Sequence, residues 1–290
     1  MSNNCKDMAI EDIDHTAGDA GSLATAAQNV LLTADARAKA AASIAAGQAW
    51  QRGDFARIGH FALTGRPARP AAPPLVPPRG VAKRKINAGR KGRIALLHAL
   101  AHIELNAIDL AWDLVARFGA EMGAEFCRDW VAVGSDEGRH FLMLDDHLRS
   151  FDCAYGDYPA HDGLWQAAAD TSDDLLARLA IVPMVLEARG LDVTPATVTR
   201  LRAVGDDASA DILMAIYTDE ISHVAAGSRW FRRCCAAQGL APTETWRALV
   251  ARHFNGTLKP PFNDDARHAA GFSKAMYAPP DRHGDGDIAG

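Results

Sequence analysis

Two five-residue stretches that each read Asp-Glu-x-x-His constrain the fold of this chain more than any other feature. They are DEGRH at residues 136–140 and DEISH at residues 219–223. In each stretch the Glu and the His stand at i and i+3, so on a helix their side chains share one face. A carboxylate and an imidazole side by side can bind one transition-metal ion. The repeat therefore predicts two helices that face a common metal site.

Each motif has a partner Glu at the same distance upstream. Glu104 lies 33 residues before Glu137, and Glu187 lies 33 residues before Glu220. That gap allows about 16 residues out and about 16 back, or about 24 Å per leg at 1.5 Å per residue. The two Glu residues of each pair are therefore expected to lie level in an antiparallel helical hairpin. Two such hairpins would supply the ligands of a di-iron or di-manganese site in a four-helix bundle.

The surroundings of Glu104 support this interpretation independently of the spacing. Leu97, Ala101 and Ile108 fall on its face of the expected helix. A carboxylate in the centre of an apolar stripe is costly to bury unless its charge is neutralised. The alternative is that both motifs are solvent-exposed helix faces with ordinary i,i+3 pairs. Surface pairs need not repeat at one spacing, so we favour the metal site.

The predicted metal ligands are four carboxylates and two imidazoles: Glu104, Glu137, His140, Glu187, Glu220 and His223. We assign the first three, with one bridging carboxylate, to one metal and the last three to the other. Which Glu bridges is left open. Two divalent cations would balance the four carboxylates. This ligand mixture suits iron or manganese better than zinc, so we expect two Fe ions, with Mn or a mixed Fe/Mn pair as alternatives.

Two Asp residues and one Tyr are predicted to support these ligands. A metal-bound His normally donates its second N–H to an acceptor. By the pseudo-twofold symmetry of the hairpins, we expect Asp136 to orient His223 and Asp219 to orient His140. Tyr217 lies one turn before the second motif, on the same face. It either hydrogen-bonds a ligand or a bound oxygen species, or it packs in the core.

The hydrophobic periodicity predicts an all-α chain. It divides into an N-terminal helical segment 1–62, a Pro/Arg-rich basic strap 63–93, the metal-binding bundle 94–238 and a C-terminal helical extension 239–290. Expected helices in and after the first segment are, in order, one or two within 22–61, then 92–118, 121–150, 171–190, 194–205, 206–238 and 243–254. Residues 151–170 are interpreted as a long crossover, and residues 1–17 and the last ten as disordered or loose.

Two further features of the bundle follow from single residues. Pro183 lies four residues before Glu187 and predicts a kink beside the site. His98 and His102 share a helix with Glu104 but point elsewhere, so we expect them to be hydrogen-bonded or surface residues.

The region from Arg57 to Arg93 is strongly basic. No acid occurs between Asp54 and Glu104, and residues 64–80 contain six prolines. We favour an extended strap over the acidic bundle. A phosphate- or nucleic-acid-binding lip at residues 57–93 is the alternative, but no aromatic residue lies between the basic residues from 66 to 93.

The overall composition excludes few classes of protein, but it bears on the cellular compartment. The net charge of −5 does not indicate a particular partner. The five cysteines lack the spacing of a disulfide framework, which indicates reduced thiols. The N-terminus lacks a basic segment followed by an apolar run, and no stretch of 18 apolar residues occurs. We therefore expect a cytoplasmic protein that does not enter a membrane.

The ligand pattern resembles the ferritin-like di-iron carboxylate superfamily over about residues 94–236. From about residue 25 to 277 the chain resembles a bacterial family of ferritin-like proteins with no assigned function. The stretches that carry this resemblance are GRPARP (65–70), LLHALAHIELNAIDLA (96–111), DEGRHF (136–141), GDYPAHDGLW (156–165), LEARGLDVTP (186–195) and DEISHVAAGSRWF (219–231). The resemblance implies a ferritin-like four-helix bundle with a long crossover and a buried di-metal site that activates O₂.

The leading hypothesis for function is an O₂-dependent oxidase or monooxygenase that acts on a small-molecule substrate. The long segments before and after the bundle exceed what iron storage requires and could shape a substrate pocket. The alternatives are an iron-handling ferroxidase or storage protein, a tRNA-modifying hydroxylase and a non-catalytic helical module with a structural metal. The sequence does not identify the substrate or the electron donor, and it leaves a homodimer open.

Overall fold

The computed structural model describes residues 21–61, 65–82, 84–87 and 89–278. Over these residues the chain is all-helical, and its β-pairing consists of two isolated bridges. The helices are α1 Leu23–Leu32, α2 Ala36–Arg52, α3 Arg90–Met122, α4 Ala124–Arg149, α5 Gly163–Ala169, α6 Leu175–Ile181, α7 Ala188–Ala203, α8 Asp207–Ala237, α9 Pro242–His253, α10 Asp264–Ala269 and α11 Lys274–Tyr277. A 3₁₀ turn covers Pro78–Gly80, and a π-helical segment covers Val182–Glu187. The predictions for residues 1–17 and for the last ten residues lie outside the described ranges.

Helices α3 and α4 form an antiparallel hairpin around one glycine. Gly123 joins them with φ 83°, a left-handed conformation that favours glycine. Trp112 lies against Gly134, and Glu104 lies beside His140, so the two helices run in opposite directions. A Cβ atom on Gly134 would come within 2.7 Å of the Trp112 indole nitrogen. The hairpin therefore depends on a glycine for its close approach, and it brings the predicted Glu pair level as expected.

The N-terminal helices pack on this hairpin and share its core. The Ser22 and Asp35 side chains accept hydrogen bonds from backbone N–H groups at the starts of α1 and α2. Gly138 of the first motif lies under α2, where an added Cβ would be 2.8 Å from the Ala40 carbonyl oxygen. A glycine inside the metal motif thus serves the packing of α2. The prediction of one or two helices within 22–61 is confirmed, and the structure has two.

The second half differs from expectation in the path of one helix. The prediction that a helix ends at Gly190 and a new one starts at 194 is wrong, because α7 runs unbroken through both positions with Pro195 inside it. Leu191, Val198 and Leu201 are buried on one face of α7. Their burial against the rest of the core outweighs the local preferences of Gly and Pro.

The distortion expected at Pro183 takes the form of the π-helical segment between α6 and α7. A proline cannot donate its backbone hydrogen bond, and a π-helical turn accommodates that loss. The Pro183 ring packs on Gly227 of α8, where an added Cβ would lie 2.5 Å from two ring carbons. Glu187 is the last residue of this segment, so the irregular backbone directly precedes a predicted ligand.

Residues 65–77 of the strap lie outside any helix, and a buried cation on α2 attaches this part of the chain to the bundle. Lys39 and Asp109 are both fully buried and paired with each other. The Lys39 ammonium also donates to the Ala68 carbonyl (3.0 Å), and Arg69 lies 2.8 Å from the same Asp109 carboxylate. The buried acid is therefore neutralised from both sides. Two more basic residues of this region, Arg66 and Arg93, pair with acids elsewhere in the chain.

Two histidines of α3 fix the crossover to the bundle. His98 Nε2 accepts a hydrogen bond from the Gly156 N–H (2.9 Å). His102 contacts the Tyr155 hydroxyl (2.9 Å) and the His161 carbonyl (3.1 Å). Burial lowers the pKa of both rings to about 4, so both are neutral at physiological pH. The prediction that they are hydrogen-bonding residues is confirmed.

The C-terminal extension is attached through α7. Arg267 pairs with Asp192 through two hydrogen bonds (2.8 and 2.7 Å) and lies over the Phe262 and Tyr277 rings. One helix, α3, is long and apolar enough to cross a membrane, but its most apolar stretch is 72% buried by the protein. The predicted cytoplasmic location stays a prediction.

Candidate metal centre

The predicted ligands converge from both halves of the chain. One ligand atom from each of Glu104, Glu137, His140 and Glu220 lies within 4.8 Å of the others. His140 Nδ1 is 3.1 Å from Glu137 Oε2 and 3.6 Å from Glu104 Oε2. His223 completes the group from α8. Its Nδ1 is 3.1 Å from Glu137 Oε1 and 3.7 Å from Glu220 Oε1. Glu137 thus lies between the two imidazoles.

Glu187 stands at the edge of this group. Its carboxyl belongs to the π-helical segment and interacts electrostatically with Glu220 and Glu137. Burial and the charge of Glu220 raise its pKa well above the usual value. Its Oε2 atom is buried without a hydrogen-bond partner. The structure therefore brings five of the predicted ligands into one cluster, and Glu187 interacts electrostatically with two of them.

The two motifs hold each other's histidines. His140 Nε2 lies 3.0 Å from Asp219 Oδ2, and His223 Nε2 lies 3.3 Å from Asp136 Oδ2. Each Asp therefore contacts the His of the opposite motif, in the arrangement expected from the symmetry of the hairpins. Both imidazoles turn Nδ1 toward the carboxylates and Nε2 toward an Asp. That division of roles suits a ring that binds a metal through one nitrogen and donates from the other; the role itself stays a prediction.

Sequence reasoning missed Arg139, which connects the two supporting acids. Its guanidinium pairs with Asp136 and lies 3.6 Å from Asp219. It stands between Glu137 and His140 in sequence but on another face of the helix. The signal that could have identified it is the i,i+3 spacing from Asp136. The second motif has Ser222 at the matching position, so the two halves are not equivalent here.

Tyr217 is used away from the ligands. Its hydroxyl accepts a hydrogen bond from the Asn263 side chain (3.0 Å), and its ring packs against the core. The geometry thus favours packing over the alternative of a bond to a ligand. Asn263 also bonds the Leu191 carbonyl, so Tyr217 helps to hold the C-terminal extension.

The carboxylates of the cluster have pKa values shifted in opposite directions. Burial, together with the charge of Glu137, raises the pKa of Glu104 well above its usual value. Burial alone would raise the pKa of Glu137 too, but the charge of His223 and the hydrogen bond with His140 hold it well below its usual value. Burial alone would lower the pKa of His140, but the neighbouring Glu104 and Glu137 carboxylates outweigh it and raise the pKa to about 11. Protons or metal cations must therefore supply positive charge at this site.

The donor atoms of the cluster fit a metal better than they fit each other. Native proteins pair nearly all their buried polar atoms. Here five atoms of the predicted ligands are buried without a hydrogen-bond partner: Glu104 Oε2, Glu137 Oε1, Glu187 Oε2, Glu220 Oε2 and His223 Nδ1. His223 Nδ1 and Glu137 Oε1 are only 3.1 Å apart, yet their angles do not form a hydrogen bond. Carboxylate oxygens and imidazole nitrogens left unpaired together are atoms that can bind a metal ion.

Among the predicted ligands, Glu187 lines a cavity of about 340 Å³. Its walls come from α3, the crossover, the π-helical segment, the strap and the C-terminal extension. Most of its lining is apolar, including Ile103, Leu110 and Leu186. A concave apolar site that opens on a few polar groups is the usual form of a small-molecule site.

Comparison with known proteins gave a match to one family model and one related sequence, but none to a solved structure. Residues 32–278 match a family model described as "Protein of unknown function (DUF455)". A Haemophilus influenzae (strain ATCC 51907 / DSM 11121 / KW20 / Rd) protein named "Uncharacterized protein" is 40% identical over 213 residues, which cover 71% of this chain and 74% of the relative. No solved structure gave a significant match.

Proposed function

The chain belongs to the DUF455 family, and from its site we propose that it is a di-iron or di-manganese carboxylate protein that uses O₂ to oxidise a small molecule. We also propose that the helices around the site are a ferritin-like four-helix bundle, in which α3, α4, the α6–α7 path and α8 carry the ligands. The observation that carries the proposal is that five of the six predicted ligands each have a buried polar atom without a hydrogen-bond partner. No ordinary network of buried ion pairs needs so many unsatisfied groups.

Each residue of the cluster has a defined task in this proposal. Glu104, Glu137 and His140 would bind one metal ion, and Glu187, Glu220 and His223 the other. The two carboxylate oxygens of Glu137 face different histidines, so this residue lies between the two sets of ligands. Two bound ions would supply the activation of dioxygen and the two-electron oxidation of a nearby substrate.

The remaining residues keep the ligands in place. Asp219 and Asp136 hold the two imidazoles with Nδ1 facing the carboxylates, and Arg139 links the two Asp residues. The helices bury the carboxylates of Glu104 and Glu137, so bulk water has little access to that side. Glu187 alone borders the cavity, which makes it the side from which a substrate would approach.

The cavity favours a substrate oxidase over iron storage. Segments outside the four ligand-bearing helices form part of its walls, and storage of iron requires no such cavity. The basic region has fewer unpaired cations for binding a nucleic acid than its composition suggests. Arg66, Arg69 and Arg93 each pair with an acid of the protein.

The direct test is the reaction of the metal-loaded protein with oxygen. We expect protein loaded anaerobically with Fe(II) to consume O₂ and to give a transient visible absorbance in stopped flow. The Glu137→Ala, Glu220→Ala double variant should do neither, because it lacks one carboxylate from each motif. A metal-loaded wild-type protein that consumes no O₂ would overturn the oxidase and leave only a structural metal.

A further inference from the structure

The cavity beside Glu187 has a distinctive charge pattern. Near the cluster its lining is apolar, with Ala107, Val185 and Leu186 beside Glu187. Phe254 and Leu258 of the C-terminal extension complete the apolar surface. A ligand that occupies it gains mainly by removing apolar surface from water.

Four cations line the same cavity, but two of them are already engaged. Arg267 is buried and paired with Asp192 through two hydrogen bonds. Arg189 donates to the Lys259 and Pro261 carbonyls at 2.7 and 3.3 Å. Both guanidinium groups share the Asp192 carboxylate, which lies 3.4 Å from Arg189, and Arg267 Nη1 is buried without a hydrogen-bond partner. The bonds of these two arginines fix the part of the C-terminal extension that closes the cavity.

The other two cations are exposed and unpaired in the described part of the chain. Arg84 comes from the strap and Lys259 from the C-terminal extension, and both border the cavity. The acids of the lining do not offset them, since Asp192 is held by Arg267 and Glu187 faces the cluster. The solvent-facing rim of the cavity is therefore positive, while its interior is apolar.

We propose that the substrate is an apolar molecule with one anionic group, either a carboxylate or a phosphate monoester. Its apolar end lies in the cavity toward Glu187, and its anionic group stays at the rim with Arg84 and Lys259. This inference rests on the oxidation proposed above for the role of the ligand. The binding itself follows from the cavity alone. At about 340 Å³ the space lies at the small end of the range for ligand sites, about 300–1,000 Å³.

The test is calorimetric titration of the full chain, metal-free and metal-loaded, with four probes below their micelle concentrations. Decanoate and decyl phosphate carry the proposed chemistry, whereas decanol lacks the charge and decyltrimethylammonium reverses it. We expect the anionic probes to bind about tenfold more tightly than decanol, as two exposed ion pairs allow. The stronger of the two anionic probes identifies the head group.

Two variants locate the ligand. The Arg84→Ala, Lys259→Ala double variant should lower decanoate affinity to that of decanol and leave decanol binding unchanged. The matched control, Arg200→Ala with Arg252→Ala, removes two exposed cations away from the cavity and should bind decanoate as the wild type does. Leu258→Trp fills part of the cavity and should weaken the binding of decanoate, decyl phosphate and decanol alike.

The outcomes separate this inference from the proposed function. Equal affinity for decanoate, decanol and decyltrimethylammonium, or full decanoate affinity in the Arg84/Lys259 variant, would overturn the substrate class. Metal content and O₂ consumption are measured on the same samples. Protein that binds two metals and consumes O₂ but binds no anionic probe would overturn this inference alone. Protein that binds decanoate at the rim but takes up no metal would support the ligand and overturn the oxidase.

Discussion

Replacing Asp219 with Asn tests how the two motifs support each other. Asp219 Oδ2 lies 3.0 Å from His140 Nε2, within the usual range for a hydrogen bond. Asn keeps the shape of the side chain and one acceptor oxygen but removes the negative charge. A neutral acceptor makes the imidazole a weaker ligand and holds its tautomer less firmly. The fold should persist, because Asp219 is about one-third exposed and its contacts are confined to the site.

The magnitude follows from that geometry. Loss of an acceptor behind a metal-bound His typically lowers metal affinity by about 10–100-fold. Because the variant keeps an acceptor and the site is partly solvated, we expect about tenfold, or about 1.4 kcal/mol of binding free energy. Asp136→Asn should cost less, about threefold, since its oxygen is 3.3 Å from His223 Nε2 and the contact is weaker. Asp219→Ala removes the acceptor and should approach about 100-fold.

The assay is an anaerobic Fe(II) titration against a competing chelator at fixed pH, with far-UV circular dichroism to verify folding. Asp211→Asn is the matched control, because it makes the same change on the same helix at a residue that pairs only with Arg202 on the surface. It should bind Fe(II) as the wild type does. Wild-type affinity in both Asp219→Asn and Asp219→Ala would refute the idea that this acid supports a metal-bound histidine.

Three further variants test packing and charge. Gly227→Ala places a Cβ 2.5 Å from the Pro183 ring, so it should lower the free energy of unfolding by about 1–3 kcal/mol and weaken metal binding through the π-helical segment. Gly190→Ala meets no atom within 4 Å and should instead stabilise α7 by about 0.5–1 kcal/mol in the same urea titration; equal effects of both would contradict the packing. Burial opposes ionisation of Asp145, but hydrogen bonds from the Tyr155 backbone and from Arg37 and Arg149 hold its pKa below the usual value. The contribution of the ionised Asp145 to the free energy of unfolding is therefore present above about pH 4 and is lost as the pH falls through the folded-state pKa. In urea titrations, Asp145→Asn should lower the free energy of unfolding by about 1.5 kcal/mol at pH 7 and by less at pH 3. An equal loss at both pH values would refute this.

The sequence predicted the convergence of the Glu and His side chains better than it predicted the paths of the surrounding helices. The predicted ligand positions follow from a spacing rule, and the equal 33-residue gaps predicted which helices meet. The cross-pairing of Asp136 and Asp219 with opposite histidines followed from symmetry. The boundary between the first two bundle helices was expected at residues 118–121, whereas α3 runs on to Met122 and Gly123 separates it from α4.

Other features depend on contacts that periodicity does not encode. The continuous α7 through Pro195 results from burial of one face against the core, which overrides local propensity. Arg139 was missed because its partner Asp219 comes from a distant helix. The attachment of the strap required a fully buried lysine, Lys39, in a stretch that composition alone marks only as Ala-rich. The cavity required the packing of five separate segments.

The central claim is that the two motifs and their partner Glu residues bind two metal ions. The most direct measurement is the metal content of protein expressed in iron-rich medium, for the wild type and for the Glu137→Ala, Glu220→Ala variant. The account predicts about two metal ions per chain, chiefly iron, in the wild type and their loss from a folded variant. A folded wild-type chain that binds no metal would mean that the motifs act as buried ion pairs, and the proposed function would fall with the site.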